Sequence, residues 1–235
     1  MRRHQFEAYL DKVFDFSERV SALPEGRQYP QHAWKKVFDA VFIGAACQFA
    51  SLHEIETECC LGVLRRRIGP ISEDTLRYAL QRQDPDDVLQ LGCEVARRLK
   101  RNGVLHTDWA RGRVVAAVDG TEICSSFTRC CDRCMERRVA RKVQGELRES
   151  IQYYHRIVAV TVVSTPFSIP LGLRFQNRGE PEVGCAVGLV RDLRERLGRR
   201  VLDVVVGDGL YLQKRVVQAV EALGWGWGFT LSGSL

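Results

Sequence analysis

Nowhere in this 235-residue chain is there a run of the eighteen or so apolar residues that a membrane-crossing helix needs. The N-terminus, MRRHQFEAYL, has no apolar core of the kind a secretory signal carries. A cytoplasmic protein with no membrane partner is therefore expected. A disulfide framework is also missing: the nine cysteines are odd in number, and four of them form adjacent pairs, Cys59 with Cys60 and Cys130 with Cys131. Such spacing suits reduced thiols or a metal site better than a secreted scaffold. Lysine is scarce. The formal net charge of +6 rests almost wholly on arginine, and most of the excess lies in residues 113 to 235. Planar guanidinium groups suit bidentate contact with phosphates, so an anionic partner is expected. There is no internal repeat or low-complexity tract, and a 45% share of hydrophobic residues is enough for a buried core.

What is present divides into two regions, 1–110 and 111–235. The first reads as all helical. Phe6, Leu10, Val13, Phe14 and Val20 recur at three- and four-residue spacing, and so do Val37, Phe38, Val41, Phe42, Ala45, Ala46 and Phe49. In "ISEDTLRYALQR", Ser72 stands as an N-cap before acidic first-turn residues, with Leu76 and Leu80 one turn apart. Val88, Leu91, Val95 and Leu99 mark a further helix over 87–101. "LGVLRRRIGPISEDTLRYAL" reads as helix, Gly-Pro turn and helix, an outline shared by DNA-reading helix-turn-helix units and by plain packing domains.

Beyond "RNGVLHTDWARG" the period changes. Apolar and β-branched runs predict strands at 113–118, 156–164, 169–175 and 201–207, and "GWGFTLS" is a further candidate. One helix begins at Pro181, with Val183, Ala186, Val187, Val190, Leu193 and Leu197 on a stripe; another carries Leu212, Val216, Val217, Val220 and Leu223. Three strands joined without helices, followed by strands alternating with helices, imply an α/β fold with a mixed sheet flanked by helices.

Two strands end alike: "VVAAVDG" closes on Asp119 and "LDVVVGDG" on Asp208. Each Asp-Gly is a common turn pair and needs no further role alone. Two acids at matching strand ends, however, meet at the sheet rim, where α/β folds place their sites. Carboxylates that close repel unless a hard cation such as Mg²⁺ or Mn²⁺ separates them, and such ions activate water and stabilise displacement at phosphorus.

These blocks, "AVDGTEICSS", "QYYHRIVAV", "NRGEPEVGCAVGLVRDL" and "DVVVGDGLYL", together resemble the DDE transposases of bacterial insertion sequences, over about residues 35 to 235. The resemblance implies a ribonuclease H-like core preceded by a helical DNA-binding region. It implies Asp119 and Asp208 as catalytic ligands of two Mg²⁺ ions that serve transposon-end cleavage and strand transfer, with transposon ends and target DNA as partners and a homodimer as a further possibility. It also implies a third acid, a glutamate on a helix beyond the fifth core strand. The chain stops at "GFTLSGSL", and Glu221 does not match that place, so a C-terminally truncated transposase is expected. The alternative is a catalytically inactive DNA-binding remnant or an inhibitor of the full-length enzyme.

Between the first two predicted strands lies "CSSFTRCCDRCMERRVARKVQGELRES". Cys131 and Cys134 form a C-x-x-C knuckle, and with Cys124 and His155 they make a conceivable zinc set; reduced thiols in a loop are the alternative. Arg129, Arg133, Arg137, Arg138, Arg141 and Lys142 read either as a solvated charged loop or as contacts to DNA phosphates. Glu180 and Glu182 read as acids favoured at a helix N-terminus, and Trp225 and Trp227 as core or edge aromatics.

Overall fold

In the computed structural model, residues 3–143, 146–198 and 200–230 are described. The chain forms two compact units, Met1–Leu91 and Gly92–Leu235. The first holds α1 (Arg3–Phe14), α2 (Phe16–Ser21), α3 (Trp34–Ala46), α4 (Leu52–Cys60), α5 (Glu73–Arg82) and the start of α6 (Pro85–Arg101). Its core gathers Val20, Trp34, Val37, Ala40, Ile55, Cys59, Leu64, Ile71, Leu76 and Ala79.

Helices stand where most of the apolar stripes predict them, α4 stands where no stripe was read, and two expected elements differ. The stripe from Phe6 to Val20 is broken at Asp15, which adopts a left-handed backbone (φ 51°). The break is satisfied locally, because the Ser17 N–H donates to the Asp11 carboxylate at 2.8 Å and the Arg19 side chain to the Phe14 carbonyl at 2.9 Å. The helix expected over "LGVLRRRI" is absent. α4 ends at Cys60 and residues 61–68 run through turns, with Leu61 and Val63 exposed. That segment buries too little on one side to hold a helix, so the helix-turn-helix outline loses its first helix as drawn. Ser72 caps α5 as expected, accepting the Thr75 N–H at 3.2 Å.

The second unit is a six-stranded mixed sheet with helices packed on it. Its strands are β1 (Val115–Ser126), β2 (Met135–Val143), β3 (Glu146–Val162), β4 (Ile169–Phe175), β5 (Val204–Gly207) and β6 (Gly226–Phe229), with α7 (Glu182–Leu197) and α8 (Lys214–Ala222) between the later ones. Order across the sheet is β2-β3-β1-β5-β6, with β4 paired to the C-terminal half of β3. β3 is antiparallel to β1 and β4; β5 and β6 are parallel to β1. This is the expected α/β class, consistent with a ribonuclease H-like core. Residues of the expected last strand from 231 onward lie outside the described residues.

Alternation along β1 sets the two faces. Val114, Ala116 and Val118 are buried with Val158, Val160, Val205 and the stripe of α7, which is why that helix lies flat on the sheet. At Gly172 the sheet and α7 approach closely: a Cβ there would stand 2.8 Å from the Leu193 side chain. The insert expected as a loop is instead a strand pair, β2 with the N-terminal half of β3. Its sequence, MERRVARKV, lacks the apolar alternation that marks a half-buried strand, because both of its faces meet water.

Leu193, 1% exposed, packs in the centre of this core. Leu193→Ala is expected to cost about 2–5 kcal/mol by urea unfolding; an unchanged midpoint would remove this side chain from the core.

Candidate functional site

Asp119 does not close its strand. β1 runs on to Ser126 because β3 pairs with it along its whole length. What ends near Asp119 is the parallel ladder with β5, whose last pair is Ala117 with Val206. Continued for two residues beyond its end, that register would bring Asp119 level with Asp208, at the strand spacing of about 5 Å between Cα atoms. The strands remain adjacent one residue earlier, where a Cβ on Gly207 would lie 3.0 Å from the Val118 side chain. Neither Asp-Gly pair is a turn with a left-handed glycine. Gly120 is mid-strand, opposite Val158, and Asp208 caps a 3₁₀ turn over Gly209–Tyr211. Both carboxylates are exposed. Each has one oxygen engaged locally, Asp119 with the Gly120 N–H and Asp208 with the Leu210 N–H, both at 2.9 Å.

A third acid, missed in the sequence, stands close by. Glu182 opens α7, and a Cβ at position 120 would collide with its carboxylate, so the glycine after Asp119 makes room for Glu182 rather than for a bend. Glu182 is held from two sides: the Tyr211 hydroxyl donates to it at 2.7 Å and the Arg156 guanidinium pairs with it at 2.7 Å. Tyr211 is fully buried. Burial first, then the negative charges of Glu182, Asp119 and Asp208, push its phenol pKa well above the ordinary value, so it stays a proton donor. The single legible signal for Glu182 was its place in a helix's first turn, which acids favour anyway. Among the described residues, no third acid converges with Asp119 and Asp208 to within 4.8 Å.

Strand alternation sorts the basic insert. Arg138 and Lys142 pair with Ile151 and Leu147, and so share a face of β3 with His155, Ile157 and Ala159, the last opposite Asp119. Both are exposed, as are Arg129 and Arg133 in the preceding loop. Arg137 and Arg141 fall on the other face. Arg137 is committed to Glu122 through two bonds of 2.8 and 3.1 Å, donates to Gln152, and lies over the Tyr154 ring. Arg141 donates to Ser150 and covers the Phe127 ring at 4.3 Å.

The structure brings three of the four sequence-predicted sulfur and imidazole ligands together. Cys131 Sγ and Cys134 Sγ are 3.6 Å apart, and His155 Nε2 lies 3.4 and 3.3 Å from them. Cys124 stands opposite His155 in the β1–β3 register and lines the same cleft of about 570 Å³, with Cys130 and Arg129. Trp225 is in the core, as expected, and Trp227 lies on the edge strand, stacked on Phe229 and donating to Glu221. A second group, His53 with Glu56 and Glu73, lies on helix surfaces of the first unit, and Glu73 is already paired with Arg77.

No protein-family model matches the chain. No curated protein matches it. Among solved structures, the Mos1 transposase paired-end complex with left transposon end is similar at a TM-score of 0.31 and 13% identity, covering 95% of this chain. The chain spans 65% of that one. A likeness this distant carries no weight for fold or function, and no helix among the described residues is long and apolar enough to cross a membrane.

Proposed function

We propose that this chain is a DDE-type, metal-dependent DNA transposase that acts by phosphoryl transfer, with Asp119 and Asp208 as the ligands of Mg²⁺ or Mn²⁺. One observation carries the reading: two exposed carboxylates stand just past the end of the β1–β5 ladder, Asp119 on β1 and Asp208 directly after β5, and both charges bear on the Tyr211 hydroxyl; carboxylates that close repel unless a divalent cation lies between them. A cation held there supplies an activated water or hydroxyl nucleophile and neutralises charge on the reacting phosphate. The protein's own part is positioning. Glu182, fixed by Tyr211 and Arg156, adds negative field beside the pair, and Arg138 and Lys142 extend along the same sheet face to meet the DNA backbone.

A second reading has its own support. Glu182 is paired with Arg156, and among the described residues no third acid joins Asp119 and Asp208, an arrangement that suits a chain which binds DNA without cutting it. Transposon ends and target DNA are partners on either reading; inhibition of a complete enzyme belongs to the second.

Purified protein is expected to bind Mn²⁺ in calorimetry and to nick supercoiled plasmid with Mg²⁺ or Mn²⁺. Asp119→Asn and Asp208→Asn are each expected to cut ion affinity at least tenfold and nicking at least a hundredfold, with DNA retention in gel shifts unchanged. Full nicking by Asp119→Asn sinks the catalytic assignment, and retention without nicking by the unaltered chain selects the second reading. Gly120→Ala, which displaces Glu182, is expected to cost about 1–3 kcal/mol of stability in urea unfolding and to weaken Mn²⁺ binding; a neutral result would mean that Glu182 does not depend on that space. Replacing both Arg138 and Lys142 by Ala should reduce the log–log salt slope of DNA binding by about 2, at roughly 0.9 per phosphate contact. Arg137→Ala, whose charge is spent on Glu122, should leave the slope nearly unchanged, and equal effects of the two changes would refute the sorting by face.

A further inference from the structure

The thiol and imidazole cluster lies apart from the carboxylate pair. Counted along β3, four residues separate His155 from Ala159, the partner of Asp119, so the two sites are about 13 Å apart on one sheet face at the usual strand rise. The cluster is built from three pieces of chain: the end of β1, the loop over 127–134 and the middle of β3. The loop has few other ties. The Thr128 and Arg129 N–H groups donate to the Ser126 hydroxyl, and the Cys134 N–H closes a turn on the Cys131 carbonyl at 3.0 Å. Its apolar anchors are Phe127, half-buried under the Arg141 guanidinium, and Cys134, buried together with Met135.

The geometry points to a structural zinc ion bound by Cys131, Cys134, His155 and Cys124. Zinc at about 2.3 Å from sulfur and 2.0–2.1 Å from nitrogen, in tetrahedral array, places ligand atoms roughly 3.8 Å apart for S···S and 3.6 Å for S···N. The three separations seen, 3.6, 3.4 and 3.3 Å, fall within a few tenths of an ångström of those edges. A disulfide is the competing product of a C-x-x-C pair. It would draw the sulfurs to about 2.05 Å and leave the imidazole with no reason to sit evenly between them. Even spacing of one ring nitrogen from both sulfurs is what a shared central ion requires. Thiolate and imidazole donors in a tetrahedron select zinc among the common divalent ions, in contrast to the all-oxygen donors of the Asp119 pair.

The fourth ligand follows from the register. Between Glu122 and Cys124 the β1–β3 ladder slips by one residue, so that Ile123 is inserted and Cys124, instead of Ile123, stands directly opposite His155. Such a bulge re-aims the side chains beyond it. Here it puts Cys124 on the sheet face that carries His155. Cross-strand neighbours of this kind have their Cβ atoms about 5 Å apart, close enough for one ion to bridge them. Cys130 lines the cleft too, but on the loop and not on a strand. The ion would fasten the loop to β3 at the root of the β2–β3 strand pair that bears Arg138 and Lys142, a fixed base for a basic arm whose two faces are otherwise solvated.

The test is metal analysis of the full chain purified under reducing conditions without chelator. One zinc per chain is expected. Cys131→Ser and Cys134→Ser should each reduce it below a tenth, His155→Ala and Cys124→Ser should weaken retention at least tenfold against a competing chelator, and Cys47→Ser and Cys130→Ser should leave it intact. Should the ligand variants fail to fold, the unaltered chain still decides the matter: Co²⁺ added after zinc removal should give the intense sulfur-to-cobalt band and tetrahedral visible spectrum of a Cys₃His site. Zinc removal should also speed protease cleavage within 127–134. A zinc-free wild type that takes up no Co²⁺, or alkylation mass spectrometry showing Cys131 joined to Cys134, overturns the site. Full retention in Cys124→Ser with loss in Cys130→Ser overturns the assignment of the fourth ligand.

Discussion

Everything in the second unit depends on how β1 is held. On one side β3 follows it antiparallel from Ala116 to Ser126; on the other, β5 lies parallel only as far as Ala117. The mismatch in length creates the site. Where β5 stops, Asp208 turns into a 3₁₀ segment, while β1 continues past it with its backbone already satisfied by β3. One acid lies on β1 and the other directly after β5 at that step, and both are exposed. Beyond the step, the same β1–β3 pairing carries the bulge that sets Cys124 opposite His155. One ladder thus positions an all-oxygen pair and a sulfur-nitrogen cluster on a common face.

Charge is arranged with the same economy. The formal excess is +6, yet several arginines are occupied inside the fold: Arg137 by Glu122, Arg156 by Glu182, and Arg174 by Glu180 and Asp192. Exposed pairs of this kind add little stability each, but they withdraw guanidinium groups from any external phosphate. Charge counting overstates what remains for a partner. By alternation, Arg138 and Lys142 are the basic residues described in β2 that share the face of Asp119, so the basic arm is more selective than its composition suggests.

Much of the fold was legible in the sequence because burial leaves a period. The stripes of α3 and α7, the apolar run of β4, the β-branched run of β5 and the Ser72 cap are all read from local chemistry, and β4 was placed to the residue. What failed to show were elements whose stability comes from partners rather than from their own apolar pattern. β2 is built of MERRVARKV, and the outer half of β1 of TEICSS. Neither alternates cleanly, since neither has a dry face, and each exists because β3 supplies its hydrogen bonds. The break at Asp15 was hidden for the opposite reason: the apolar stripe continues through it, and a left-handed residue, with the Asp11 carboxylate accepting the Ser17 N–H, interrupts the helix without disturbing the period.

The candidate site divides along the same line. Sequence alone determined that Asp119 and Asp208 follow buried β-rich runs and that Cys131 and Cys134 share a knuckle, because these are relations between near neighbours. Tertiary structure decided which strand stood beside which, and hence that the two acids flank the end of one ladder, that Glu182 occupies the space left by Gly120, and that His155 closes on the two sulfurs from more than twenty residues away. The physical reason is that register and bulges are properties of a pair of strands. A single strand's residues carry the chemistry, and only its pairing decides which of them meet.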